Sequence, residues 1–125
     1  MCDVFQTLFQ EQEWHDHRRL LLLSEFGVSV QAFVYNEPMT IPTTDVKIRA
    51  YICSLYVNES VRGHNHGSWA LETMENMLRN TYGVDTVEID WDERDSDLWI
   101  LEWYKRRGYE EVAQFTHGIA LVKKF

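Results

Sequence analysis

The sequence predicts one α/β domain, and three observations carry that expectation. Its 125 residues suffice for one compact domain and are too few for two. Short β-rich runs alternate with two stretches whose apolar residues recur at helical spacing. The composition, 45% hydrophobic, 14% aromatic and 26% charged, is that of an ordinary globular chain rather than a disordered or fibrous one. No internal repeat, low-complexity tract or linker divides it.

Val4, Phe5, Leu8 and Phe9 fall at i, i+1, i+4 and i+5 behind Asp3 as an N-cap, so a short helix is expected within residues 3–16. Residues 19–25 and 28–35, separated by Phe26-Gly27, read as an antiparallel hairpin. Both prolines, Pro38 and Pro42, fall in a loop over 36–44. A long β-run follows over 46–57. Strict alternation puts Val46, Ile48, Ala50 and Ile52 on one face and Tyr51, Cys53, Leu55 and Val57 on the other. A polar turn, 58–67, precedes a helix over 68–80, with Leu71, Met74, Met77 and Leu78 on its apolar face and Glu72, Glu75 and Arg79 on its polar face. Tyr82-Gly83 closes it. Residues 86–91 form a strand with Val87, Ile89 and Trp91 facing one way and Glu88 and Asp90 the other. A second helix, 98–107, ends on Lys105, Arg106 and Arg107, as the helix dipole favours, with Gly108 at its C-cap. Two β-runs, 110–115 and 119–123, finish the chain.

Twelve Lys and Arg against twenty Asp and Glu give a formal charge of −8, which repels phosphate backbones and argues against nucleic acid. The same field suits a cationic partner, an amine-bearing small molecule or a basic protein. Asp85, Glu88, Asp90, Asp92, Glu93, Asp95 and Asp97 crowd one stretch against Arg94 alone, either as a solvated loop or as a rim that recruits cations. The aromatic set Trp91, Trp99, Trp103 and Tyr104 beside it reads as core packing, or as a wall for a cationic amine. No apolar run approaches a membrane span, and the acids before Arg18-Arg19 make a poor secretory signal. Cys2 and Cys53 make no disulfide framework, so a reducing cytoplasmic location is expected.

The informative unit is the strand, turn and helix over 52–80. A turn opening a helix leaves free backbone N–H groups at the positive end of the dipole, and so can take an anion. Gly63 and Gly67 permit close approach, Asn65 tolerates positive φ, and Arg62 adds a forked cation. An ordinary turn with glycines for geometry is the plainer account. His64-x-His66 is too small a set for zinc, and no metal is expected.

Ile52 through Ser68 resembles the coenzyme-A-binding segment of the GNAT superfamily of N-acetyltransferases. Leu55-Tyr56-Val57 matches its strand end, and Arg62-x-x-Asn65-x-Gly67 its turn, with Asn65 where the family usually carries Gly. Trp103-Tyr104 through Gly108-Tyr109 is similar to its second signature. The resemblance implies a mixed, mostly antiparallel sheet flanked by helices, with two central parallel strands splayed around acetyl-CoA. It implies a shortened helical region over 1–18, a CoA-binding unit over 46–80 and a strand-helix-hairpin over 86–125. The diphosphate would sit on Arg62, Gly63, His64, Asn65, His66, Gly67 and Ser68, and the pantetheine arm along Leu55, Tyr56 and Val57. Asp97 stands where the family usually has Asn. Direct attack by an amine needs no acyl-enzyme, and Cys53, without a His partner, reads as a core residue. Tyr104, a phenol protonated at neutral pH, would give the departing thiolate its proton, unless it is simply a core aromatic. Glu88 and Asp90 are candidates to take the proton from the acceptor ammonium, unless they only form a solvated face. The expected activity is acetyl transfer to a lysine, a protein N-terminus or a polyamine-like amine. The alternatives are a GNAT-fold binding or inhibitory module and a CoA sensor without turnover. The terminal strands could pair across a homodimer.

Overall fold

The computed structural model describes residues 7–13, 17–24, 27–35, 48–57 and 65–125. The elements run β1 (Thr7–Glu13), β2 (His17–Ser24), β3 (Val28–Tyr35), β4 (Ile48–Val57), α1 (His66–Asn80), β5 (Val84–Asp92), α2 (Leu98–Arg106), β6 (Glu110–Phe115) and β7 (Gly118–Lys124). The strands form one sheet in the order β1-β2-β3-β4-β5-β7-β6. Only β4 and β5 are parallel, because α1 carries the chain back between them; every other pair is antiparallel. The mixed α/β sheet expected from the sequence is therefore present.

Alternation sorts the sheet into two faces. Leu20, Leu22, Val28, Val30, Ala32, Val34, Ala50, Ile52, Val87, Ile89 and Trp91 are buried in one cluster with Ala70, Leu71, Met74 and Leu78 of α1 and Leu101 and Tyr104 of α2. Both helices thus lie on the same face. The opposite face carries a register-matched row: Arg19 pairs with Phe33, Phe33 with Tyr51, Tyr51 with Glu88, and Glu88 with Val122. Among the described residues, no helix covers that face.

Four expectations are corrected. The helix expected within 3–16 is a strand where the chain is described: Thr7–Glu13 pairs with β2, Leu8 opposite Leu23 and Gln12 opposite Arg19. A short apolar run fits either period, and the ladder offered by the leucine-rich β2 decides it. Residues 3–6 and 14–16, with Asp3, lie outside the described residues, as does the loop expected over 36–44. The two-faced alternation drawn for β4 also breaks. Gln31 is opposite Ser54 while Ala32 is opposite Ile52, so Cys53 is an extra residue in a bulge. Beyond the bulge the side chains exchange faces: Leu55 and Val57 pack against the same core as Ala50 and Ile52. Cys53 is exposed, not a core residue, and its thiol donates to the Gln31 carbonyl at 3.5 Å.

Glu75, expected on the solvated face of α1, is buried with 8% of its surface exposed. Its carboxylate accepts from the Tyr109 hydroxyl at 2.6 Å and from Lys123 Nζ at 3.2 and 3.3 Å. This cluster ties α1 to Tyr109, three residues past the end of α2, and to β7. Burial and the Glu75 carboxylate together hold the Tyr109 hydroxyl far above the usual phenol range. No described helix is long and apolar enough to cross a membrane.

Candidate active site

The β4–β5 ladder ends at Ile52 opposite Ile89. Beyond it β4 continues to Val57 on its β3 ladder, and β5 to Asp92 on its β7 ladder. Two strands that stay bound to their outer neighbours but not to each other leave a slit. The bulge at Cys53 supplies the bend that parts them. Past Ile52, β4 no longer ladders with β5, so its main chain from Cys53 to Tyr56 offers an edge to an extended ligand.

The helix side of the slit is built by α1 and α2. Asn65 is the N-cap of α1, with φ 62 in the left-handed region, and its side chain makes no cap bond. Its carbonyl accepts from Trp69 N at 3.0 Å. The first-turn N–H groups after it are those a helix leaves without internal partners. Gly67 lies on this turn against β4: a Cβ there would stand 3.3 Å from Val57 Cγ2 and 3.8 Å from Trp103 Cζ2. Ser68 accepts a hydrogen bond from the Arg107 guanidinium, which lies 4.2 Å over the Trp103 ring. The Arg107 Nε is buried without a partner. Neither the Arg107 contact nor the Trp103 contact was legible in the sequence, because both join helices far apart in the chain. Tyr56 projects outward, exposed, between the core-packed Leu55 and Val57. Arg62, Gly63 and His64 lie outside the described residues.

Tyr104 is 8% exposed, edge-on to Trp103 and Tyr109 at 5.4 and 6.0 Å. Burial pushes its hydroxyl up to about 12, so it keeps its proton across the neutral range. Asp97 occupies the N-cap of α2 with no side-chain cap bond. Its carbonyl accepts from Trp91 Nε1 at 3.0 Å and from Ile100 N at 3.1 Å, which fixes the start of the helix through the backbone. Of the expected aromatic wall, Trp91 and Tyr104 are core residues and Trp103 lies against the α1 turn, while Trp99 is 57% exposed.

The other side of the slit carries carboxylates. Glu88 is half-buried and Asp90 exposed, both on the face opposite the helices. Asp90 is the next residue on that face beyond the Glu88–Tyr51 pair, at the point where the β4–β5 ladder stops. The Tyr51 hydroxyl donates to Asp90 Oδ2 at 3.1 Å. Burial, then the hydrogen bond and charge of Asp90, push the Glu88 carboxyl up to about 7, while Arg49 pulls it down. Burial and Asp90 raise the Tyr51 hydroxyl as well. Tyr51 escaped the sequence reading; only the cross-strand register brings it to the carboxylates.

A family model for the acetyltransferase (GNAT) family matches residues 5–109. Among curated proteins, none matches the sequence. Solved structures share the fold at low identity. The PaiA N-acetyltransferase of Thermoplasma acidophilum, in complex with coenzyme A, is 13% identical over 88% of this chain and 62% of its own, with a TM-score of 0.61. Arabidopsis thaliana Naa50, bound to a bisubstrate analogue, is 15% identical over 86% of this chain and 72% of its own, with a TM-score of 0.63. The NatC complex bound to Gag peptide and CoA aligns at 16% identity over 86% of this chain and 70% of that one, with a TM-score of 0.61. The chain spans under two-thirds of the length of the PaiA enzyme. With the family's pattern running through most of its sequence, the chain belongs to the GNAT acetyltransferase family.

Proposed function

We propose that this chain moves an acetyl group from acetyl-CoA to a primary amine by direct attack within a ternary complex. The observation that carries the reading is the parting of β4 and β5 past Ile52 and Ile89, with Glu88 and Asp90 on the sheet face at that point; Tyr104, in the core on the helix side, is read as the acid. In this reading the donor lies on the helix side. Its diphosphate sits at the positive end of the α1 dipole, on the main chain of Asn65, His66, Gly67 and Ser68, joined by Arg62, Gly63 and His64. Its pantetheine arm runs along the β4 edge at Leu55, Tyr56 and Val57, and Asp97 flanks it from α2.

The acceptor approaches from the opposite face. Its ammonium gives a proton to the Glu88–Asp90 pair, directly or through a water, and the freed nitrogen attacks the thioester carbonyl carbon. The new C–N bond replaces the C–S bond, Tyr104 gives its proton to the departing thiolate, and the nitrogen's second proton passes back through water to the Tyr104 phenolate. Cys53 takes no part, since the attack forms no acyl-enzyme. The acceptor is a lysine, a protein N-terminus or a small amine, and the setting is the cytoplasm.

Calorimetry with acetyl-CoA followed by free-thiol release on a panel of amines tests the reading. Binding and amine-dependent release are expected, and Tyr104→Phe should lose roughly 10²-fold or more in kcat. A preserved rate in that variant removes Tyr104 from the mechanism. A second reading, a GNAT-fold module that binds a partner without turnover, draws on the exposed Leu98, Trp99, Val112 and Phe115. Absence of acetyl-CoA binding would favour it. The β6 edge is also where a homodimer would pair.

A further inference from the structure

On the face that carries Glu88 and Asp90, the Arg19 guanidinium of β2 donates, among the described residues, to one side chain, the neutral Gln31 Oε1 at 3.0 Å. Its Nε is buried with no acceptor, and among the described residues no carboxylate forms a salt bridge with it, in a chain of net charge −8. A guanidinium has five donors in a planar fork suited to an oxyanion, and the terminal nitrogens that Gln31 does not occupy are available to one. Its position is specific. Arg19 pairs with Phe33 across the ladder, yet its head group reaches along β3 to Gln31, toward the slit. Gln31 stands opposite Ser54 at the bulge where β4 leaves β5, level with Asp90. At the level of Phe33, Tyr51 and Glu88, where the ladders are intact, β3 and β5 are two strand spacings, roughly 10 Å, apart, and the gap widens from there toward Asp90.

We propose that Arg19 binds a carboxylate on the acceptor, so that the preferred acceptor is a small ω-amino acid, its amine at Glu88 and Asp90 and its acid group at Arg19. This rests on the acetyl-transfer reading above and narrows its acceptor to a zwitterion, against a polyamine. The step is unchanged: the amine nitrogen is acetylated, and the carboxylate is only held. Arg19 acts as a specificity residue.

The test compares ε-aminocaproate with hexylamine, which has the same amine and chain length but no acid. Thiol release by the wild type should favour ε-aminocaproate at least about tenfold in kcat/KM, the worth of one charge-assisted contact. In Arg19→Gln the ratio should collapse toward one through KM, and Arg19→Lys, which keeps the charge but not the fork, should restore part of it. A wild-type ratio near one, or a ratio unchanged in Arg19→Gln, overturns the proposal. Amide-resolved NMR titration with ε-aminocaproate separates this from the reading it rests on. If neither amine supports release, acetyl transfer fails. A saturable shift at Gln31, lost in Arg19→Gln, would still sustain the carboxylate site, and no shift overturns it. Thermal melts establish that both variants are folded.

Discussion

Glu88 and Asp90 stand on one strand face within reach of the Tyr51 hydroxyl, and their proximity sets a pH dependence. Glu88 holds its proton more tightly in the folded chain than in the unfolded one, where a carboxyl titrates near ~4.5. Its contribution to stability is therefore fully present below that value and is lost as pH rises through about 7. If the pair takes the ammonium proton, the rate of acetyl transfer rises over the same interval. Glu88→Gln should abolish that limb of the kcat profile, which a pH series of initial rates would reveal. At Glu75 the prediction concerns stability alone. Glu75→Ala strands the buried Tyr109 hydroxyl and the Lys123 ammonium, and should cost about 2–3 kcal/mol in urea unfolding. The sequence concealed this residue's role, because helical spacing placed it with Glu72 and Arg79, and its partners arrive from β7 and the end of α2.

Among the elements, the β6–β7 hairpin depends on one glycine. A Cβ on Gly118 would overlap the Trp91 carbonyl oxygen and lie 2.7 Å from the Phe115 ring. Backbone cannot yield as a flexible side chain does, so Gly118→Ala should cost about 3 kcal/mol, seen as a lowered Tm. The α1 turn depends on Asn65 in the left-handed region. Asn65→Ala should lose about 1 kcal/mol while Asn65→Gly loses none, and chemical denaturation of both variants checks it. That turn was legible: Asn and Gly in a polar stretch after a β-run announce positive φ and a helix start. The β4 bulge was not. Nothing in Ile52-Cys53-Ser54 marks an extra residue, and the count emerges only when β3 is laid beside it. β1 failed for a related reason, since its apolar spacing satisfied a helix until β2 supplied a ladder.

Across the whole molecule, stability should fall from the sheet centre to the β6 edge. β3 and β4 are each paired on both sides over much of their length and lie under α1, whereas all six residues of β6 are exposed, Val112 at 59%. Native-state hydrogen exchange should find the β6 amides fastest among the strands and those around Ala32 and Ile52 slowest. Equal protection across the sheet would contradict this gradient.

The order of elements from the hairpin onward, the faces of β5, the capping glycine after α2 and the two family signatures were all determined locally. Each depends on spacing, turn chemistry or side-chain type within a few residues. Tertiary structure alone decided which strands part, which face each half of β4 presents, and which distant groups meet: Tyr51 with Asp90, Glu75 with Tyr109 and Lys123, Arg107 with Ser68. Those outcomes depend on register between strands and on which face the helices cover, quantities that exist only once separate segments have docked.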